Sequence, residues 1–113
     1  MGNVRSRRPR VEAGSGNVFA DLGLPRPDET QAKVRLAVAI QRSIADLGLT
    51  QIEAAQRLGT SQPKVSALLR ARLEGFSVER LMKFLAALGN DVEILVRKRR
   101  PSRGPGRIHI AGI

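Results

Sequence analysis

The 113-residue chain has no cysteine, no tryptophan and no tyrosine, and only three phenylalanines. Without cysteine, disulfides and thiolate metal sites are excluded, and a reducing, cytoplasmic setting is compatible. With so few aromatic rings the core has to be aliphatic, built from Leu, Ala, Val and Ile. The rings on which single-stranded bases stack are nearly missing as well. No run of about 18 apolar residues occurs, so no membrane span and no membrane partner is expected. The start, MGNVRSRRPR, is basic but has no apolar stretch behind it and does not read as a secretory signal. The length suits one domain with tails and a modest core.

Groups for catalysis are equally scarce. The single histidine, His109, lies in a basic tail with no acid beside it. No phosphate loop, no dinucleotide fingerprint and no metal-ligand spacing is present. The glycines of RGPGR, residues 103–107, lack the helix that a phosphate loop needs and read as linker. Neither an enzyme nor a cofactor is expected.

What the chain does have is positive charge, a net +10, and it is unevenly placed. Residues 1–27 carry five arginines against two acids, a net of +3. Residues 28–96 carry nine basic and eight acidic residues, a net of +1. Residues 97–113 carry six basic residues and no acid. A nearly neutral middle with basic ends suits a phosphate backbone, whose counterions such ends displace.

Composition and punctuation divide the chain. Residues 1–16, rich in Arg, Gly and Ser, predict a disordered basic arm. NVFADLGLPRP follows, a short helical turn capped by Asn17 and ended by Gly23 and Pro25, with Phe19, Leu22 and Leu24 able to pin it to the domain. A long helix is predicted over 28–47, with Asp28 as N-cap. Its apolar face is Leu36, Ile40, Ile44 and Leu47, widened by Val34, Ala37 and Val38, and Gly48 ends it. Thr50 and Glu53 form a capping box for a second helix with Ile52, Ala55 and Leu58 on its apolar face. Gly59 closes that helix. Ser61 or Gln62 opens a third, with Pro63 in its first turn, where the missing N–H costs nothing. RARLEGF predicts a loop pivoting on Gly75. Ser77 caps a fourth helix, 78–88, with Val78, Leu81, Met82, Leu85 and Leu88 on one face. DVEILVR, 91–97, alternates as a strand does. A lone strand leaves its edges unpaired, and the simplest remedy is pairing with the same strand of a second copy across a two-fold axis. Val92, Ile94, Leu95 and Val96 are the expected dimer contacts. Residues 98–113 predict a flexible basic tail, with Ile108, Ile110 and Ile113 unusually apolar for one and able to form an extra strand or a docking peptide.

Residues 50–70, TQIEAAQRLGTSQPKVSALLR, are two short helices joined by a tight turn, the helix-turn-helix layout. Ala54 and Ala55 are small where the helices cross, Gly59 sits at the turn, and Ile52 and Val65 are expected in the shared core. Core packing leaves Ser61, Gln62, Lys64, Ser66 and Arg70 over, and no acid occurs in 54–73. A recognition helix reads base edges in the major groove with residues of this kind. Gln pairs with adenine, Lys or Arg with guanine, and Ser with either. Gln51 would aim at a phosphate from the start of the second helix, and Arg70 and Arg72 would reach flanking phosphates. The plain alternative is an ordinary helical hairpin with a solvated polar face.

The segment LTQIEAAQRLGTSQPKVSALLR resembles the lambda-repressor/Cro-like, or XRE, helix-turn-helix family. NVFADLGL before it and GFSVERLMKFLAALGNDVEILVRKR after it resemble HigA-like antitoxins. The resemblance implies a mainly α fold over residues 17–97: a four- to five-helix lambda-repressor-like domain followed by one C-terminal strand paired across a homodimer. It also implies repression of its own operon from a palindromic duplex-DNA operator, and neutralisation of a RelE-like ribonuclease toxin. Within it, Gln51 matches a phosphate-contacting glutamine, and Ser61, Gln62, Lys64 and Ser66 match base-facing positions. Phe19, Leu22 and Leu24, or else the face of the first long helix, are the candidate toxin contacts. The alternative is a stand-alone phage-type regulator with no toxin partner. The basic stretch 97–107 and the RIHIAGI end go beyond the family pattern.

Overall fold

A computed structural model describes residues 27–112. The expected arm 1–16, the short helix with Phe19, Leu22 and Leu24, and Ile113 lie outside the described residues.

Helix α1 runs Pro27–Asp46. Ala32, Leu36, Ala37, Ile40 and Ile44 form its buried stripe, as the four-residue spacing requires. Glu29 and Lys33, one turn apart, pair at 3.6 Å. Two expected members of the stripe stay outside it: Val34 is 44% exposed and Leu47 43%. Val34, two residues from Leu36, points about 160° away around the helix. Leu47 falls beyond the last helical residue. Asp28 is not the N-cap either, since the helix already includes Pro27. Its carboxylate instead accepts the Ile108 N–H at 3.0 Å.

Helix α2, Gln51–Leu58, begins on the expected capping box. The Thr50 hydroxyl accepts the Glu53 N–H at 3.1 Å, and Glu53 Oε1 accepts the Thr50 N–H at 2.8 Å. The helix buries Ala54, Ala55 and Leu58, while Ile52 is 57% exposed and does not enter the core. An eight-residue helix covers only a narrow face, and Ile52 lies about 160° from Ala54. Helix α3, Gln62–Leu69, is capped by the Ser61 hydroxyl, has Pro63 in its first turn, and buries Val65 and Leu68 completely. Helix α4, Val78–Ala87, is capped by Ser77 and buries Leu81, Phe84 and Leu85, followed by Leu88 at its C-cap.

All four helices end in the same hydrogen-bond pattern. The N–H groups of Leu49, Thr60, Arg72 and Asn90 reach back five residues, to the carbonyls of Ile44, Ala55, Ala67 and Leu85. This Schellman ending needs a left-handed residue just before the reaching N–H. Glycine supplies it at positions 48, 59 and 89, and after α3 the residue is Ala71, at φ 58°. At Gly59, φ 67°, the left-handed backbone turns the chain from α2 into α3.

The loop between α3 and α4 contributes more to the core than its sequence suggests. Leu73 and Phe76 are buried, and the Phe76 ring meets Phe84 edge to face, centroids 6.1 Å apart. Gly75, the expected pivot, has no left-handed backbone; Ala71 takes that part. In the packed domain α1 lies mainly along α4, α2 pairs with α3, and α1 also touches α3. Side chains tie these contacts down. Gln41 Nε2 donates to the Leu68 carbonyl at 3.0 Å. Asn90 Nδ2 donates to Ser43 Oγ at 3.0 Å and to the Leu85 carbonyl at 3.1 Å. No helix among the described residues is long and apolar enough to cross a membrane.

Residues 91–100 form no strand within this single chain and are exposed throughout. Ile94 is 75% exposed and Val96 89%. A strand is defined by its ladder of hydrogen bonds, and no segment of the described chain lies alongside to supply one. Pro101–Arg103 make one 3₁₀ turn. The tail, expected to be flexible, returns to the body at its end, where Ile108 bonds to Asp28 and Ile110 packs, half-buried, against the core.

Candidate nucleic-acid interface

The positions singled out in the helix-turn-helix do not play equal parts. Gln51 opens α2 and Gln62 opens α3, and Gln62 Nε2 donates to Gln51 Oε1 at 3.5 Å. The N-termini of both helices therefore share one surface, although the two glutamines are eleven residues apart in the chain. Backbone N–H groups not used within a helix cluster at such ends and favour negative charge beside them.

Ser61 serves its own helix, its Oγ accepting the Lys64 N–H at 3.4 Å. The hydroxyl proton remains for an outside acceptor. Gln62, Pro63 and Lys64 are exposed and Ser66 is half-buried. Lys64 leans over the Phe76 ring, Nζ 5.5 Å from the centroid, so its ammonium rests at the edge of the α3–α4 loop. Arg70, the C-cap of α3, and Arg72, just past it, are both exposed. Gln51, Ser61 and Gln62 thus gather where α2 and α3 begin, Lys64 lies beside them on α3, and Arg70 and Arg72 mark its far end. All of these but Gln51 lie within the acid-free run 54–73.

Three supporting residues escape a sequence reading. Gln41 binds the carbonyls at the end of α3 from a helix 27 residues away. A polar residue at the edge of an apolar stripe carries no local sign of such a role. Arg80 Nη2 donates to Thr60 Oγ1 at 3.4 Å, and its guanidinium lies 5.4 Å from the Phe84 ring centroid. Arg80 and Thr60 thereby join the start of α4 to the turn before α3. Val92, Ile94, Leu95 and Val96, the expected dimer contacts, are exposed, and the candidate toxin contacts Phe19, Leu22 and Leu24 lie outside the described residues.

Two short helices, a left-handed glycine turn and a second helix with a polar, acid-free opening define a helix-turn-helix unit. Comparison with known proteins agrees. A family model described as a helix-turn-helix domain matches residues 18–97. A solved structure named "Putative XRE Family Transcriptional Regulator" is 52% identical, with a TM-score of 0.72, over 79% of this chain and 100% of its own. No curated protein matches the chain. The chain belongs to the XRE family of helix-turn-helix proteins.

Proposed function

We propose that the protein is a sequence-specific transcriptional regulator that binds duplex DNA through α2 and α3. One observation carries this reading: Gln51 and Gln62 converge on a surface shared by two helix N-termini, beside a run of chain without acids. Helix α3 enters the major groove by its first half, with Ser61, Gln62, Lys64 and Ser66 toward base edges. Gln51, Arg70 and Arg72 take phosphates and set the register. The solved relative is itself named a transcriptional regulator.

The regulator acts as a homodimer on a palindromic operator. Residues 91–97 of two copies pair as strands, which brings the exposed Val92, Ile94, Leu95 and Val96 to the interface and satisfies the backbone groups on the paired edge. The two α3 helices then sit about 34–36 Å apart, one turn of DNA.

The test starts by selecting bound sequences from a random duplex pool. Gln62→Ala and Lys64→Ala are then compared with the intact chain on the selected site and on a scrambled one. Each is expected to lose about 1–3 kcal/mol of discrimination. Unchanged discrimination in both would show that α3 does not read the bases. Sedimentation of Ile94→Lys checks the dimer, which should dissociate.

A second duty, neutralising a ribonuclease toxin through Phe19, Leu22 and Leu24, rests on the resemblance to HigA-like antitoxins. A stand-alone regulator requires nothing beyond the helix-turn-helix. Co-expression with the product of the adjacent reading frame separates the two: co-purification and relief of growth arrest support the antitoxin, and their failure leaves the regulator alone.

A further inference from the structure

The tail is pinned at both ends of an unusually long excursion. At one end Asn90 is bound to Ser43, and at the other Ile108 is bound to Asp28. Ser43 and Asp28 are fifteen residues apart on α1, about 22 Å at 1.5 Å per residue. The seventeen residues between the pins, 91–107, would reach about 56–61 Å if extended. The segment is more than twice as long as its path, so it stands away from the body as a loop, exposed at every residue.

The second half of that loop is strongly basic. Residues 97–107 read RKRRPSRGPGR, six cations and no acid. Repulsion among them favours an open, extended chain, yet the segment is folded into a turn. Arg99 Nε and Nη2 both donate to the Arg103 carbonyl, at 3.4 and 3.3 Å, across the 3₁₀ turn Pro101–Arg103. The half-buried Ile110 anchors the far side in the apolar core.

We propose that residues 97–107 are a pinned basic loop that grips the phosphate backbone of duplex DNA, a second contact separate from α3. The proposal rests on the DNA-binding reading above and adds to it a site without sequence preference. Pinning matters because a loop already tied down loses less freedom on binding than a free tail does. It also confines the six cations to a loop tied at both ends to α1, on the same molecule as the helix-turn-helix. The composition selects the partner. No apolar residue interrupts 97–107 to insert into a lipid surface, and no aromatic ring is there to stack on a single strand.

The test uses the full chain and a random-sequence duplex of about 30 base pairs, enough to span three turns of DNA near 10 base pairs each. Binding is followed by fluorescence anisotropy as salt rises. In Arg100→Gln/Arg103→Gln/Arg107→Gln, which leaves Arg99 and its turn intact, the slope of log K against log salt should fall by about 2.7, or 0.9 per phosphate lost. Between about 50 and 200 mM salt the intact chain then loses about 40-fold more affinity than the variant. An unchanged slope overturns the proposal. Ile110→Ser, which keeps every charge, should bind severalfold more weakly; affinity equal to the intact chain overturns the part played by the anchor. Gln62→Ala should change sequence preference and leave the slope alone. That result beside a silent triple variant keeps the helix-turn-helix reading and removes the loop. Binding to phosphatidylserine vesicles but to no duplex overturns both.

Discussion

Ala71 invites a substitution with a predictable sign. It occupies the left-handed position that ends α3, at φ 58°, while the three equivalent positions hold glycine. A left-handed backbone costs a residue with a side chain about 1–2 kcal/mol. Glycine in its place avoids that cost but enlarges the unfolded ensemble, which returns about 0.4–1 kcal/mol. The Ala71 methyl is exposed, so little packing is lost. Ala71→Gly should therefore stabilise the domain by between about 0 and 1.6 kcal/mol, centred near ~0.8. For a domain of this size 1 kcal/mol raises Tm by about 4–8 °C. Gly59→Ala is the mirror experiment. A methyl built there has no heavy atom within 4 Å, so its cost is backbone alone and the same magnitude should appear with opposite sign. Urea unfolding monitored by circular dichroism should show the two midpoints moving apart at constant m-value. Ala71→Gly falling below the intact chain while Gly59→Ala rises above it would refute the assignment of these ends to backbone conformation.

Two further predictions concern the placement of α2 and α3. Thr50→Ala removes the capping box at α2 and should cost about 1 kcal/mol in urea unfolding, whereas Thr50→Ser should retain most of it. Gln41→Leu keeps the bulk but removes the donor that reaches Leu68, and should cost about 1 kcal/mol. Its amide-exchange signature should be local, with protection lost near the end of α3 before that of α1.

Where an element is marked by its own chemistry, the chain could be read directly. Thr50 with Glu53, Ser61 and Ser77 are caps whose partners lie three residues away, and Gly48 and Gly59 stop helices by a property of the residue itself. The polar start of α3 was legible for the same reason. Ile52 was misplaced because periodicity says which residues are apolar, not how wide a face the neighbours cover. Leu73 and Phe76 lie in a loop, which has no period to betray a buried side chain. Ala71 looks like any loop alanine until its hydrogen bonds are seen. Gln41, Arg80 and the docking of Ile108 and Ile110 depend on residues distant in the chain, and no local pattern encodes such a partner.

Helix α3 is held at both ends, by Thr60 and Arg80 before it and by Gln41 at its last carbonyls. If α3 enters the groove as proposed, a helix mounted in this way has little freedom to adjust to an imperfect fit, and the nucleic acid would have to make the adjustment. In an operator gripped by two such helices, the central base pairs that neither helix touches would still affect binding, because stiff and pliant steps resist twisting to different degrees. On the proposed dimer, the spacer between half-sites would thereby become part of the recognised site.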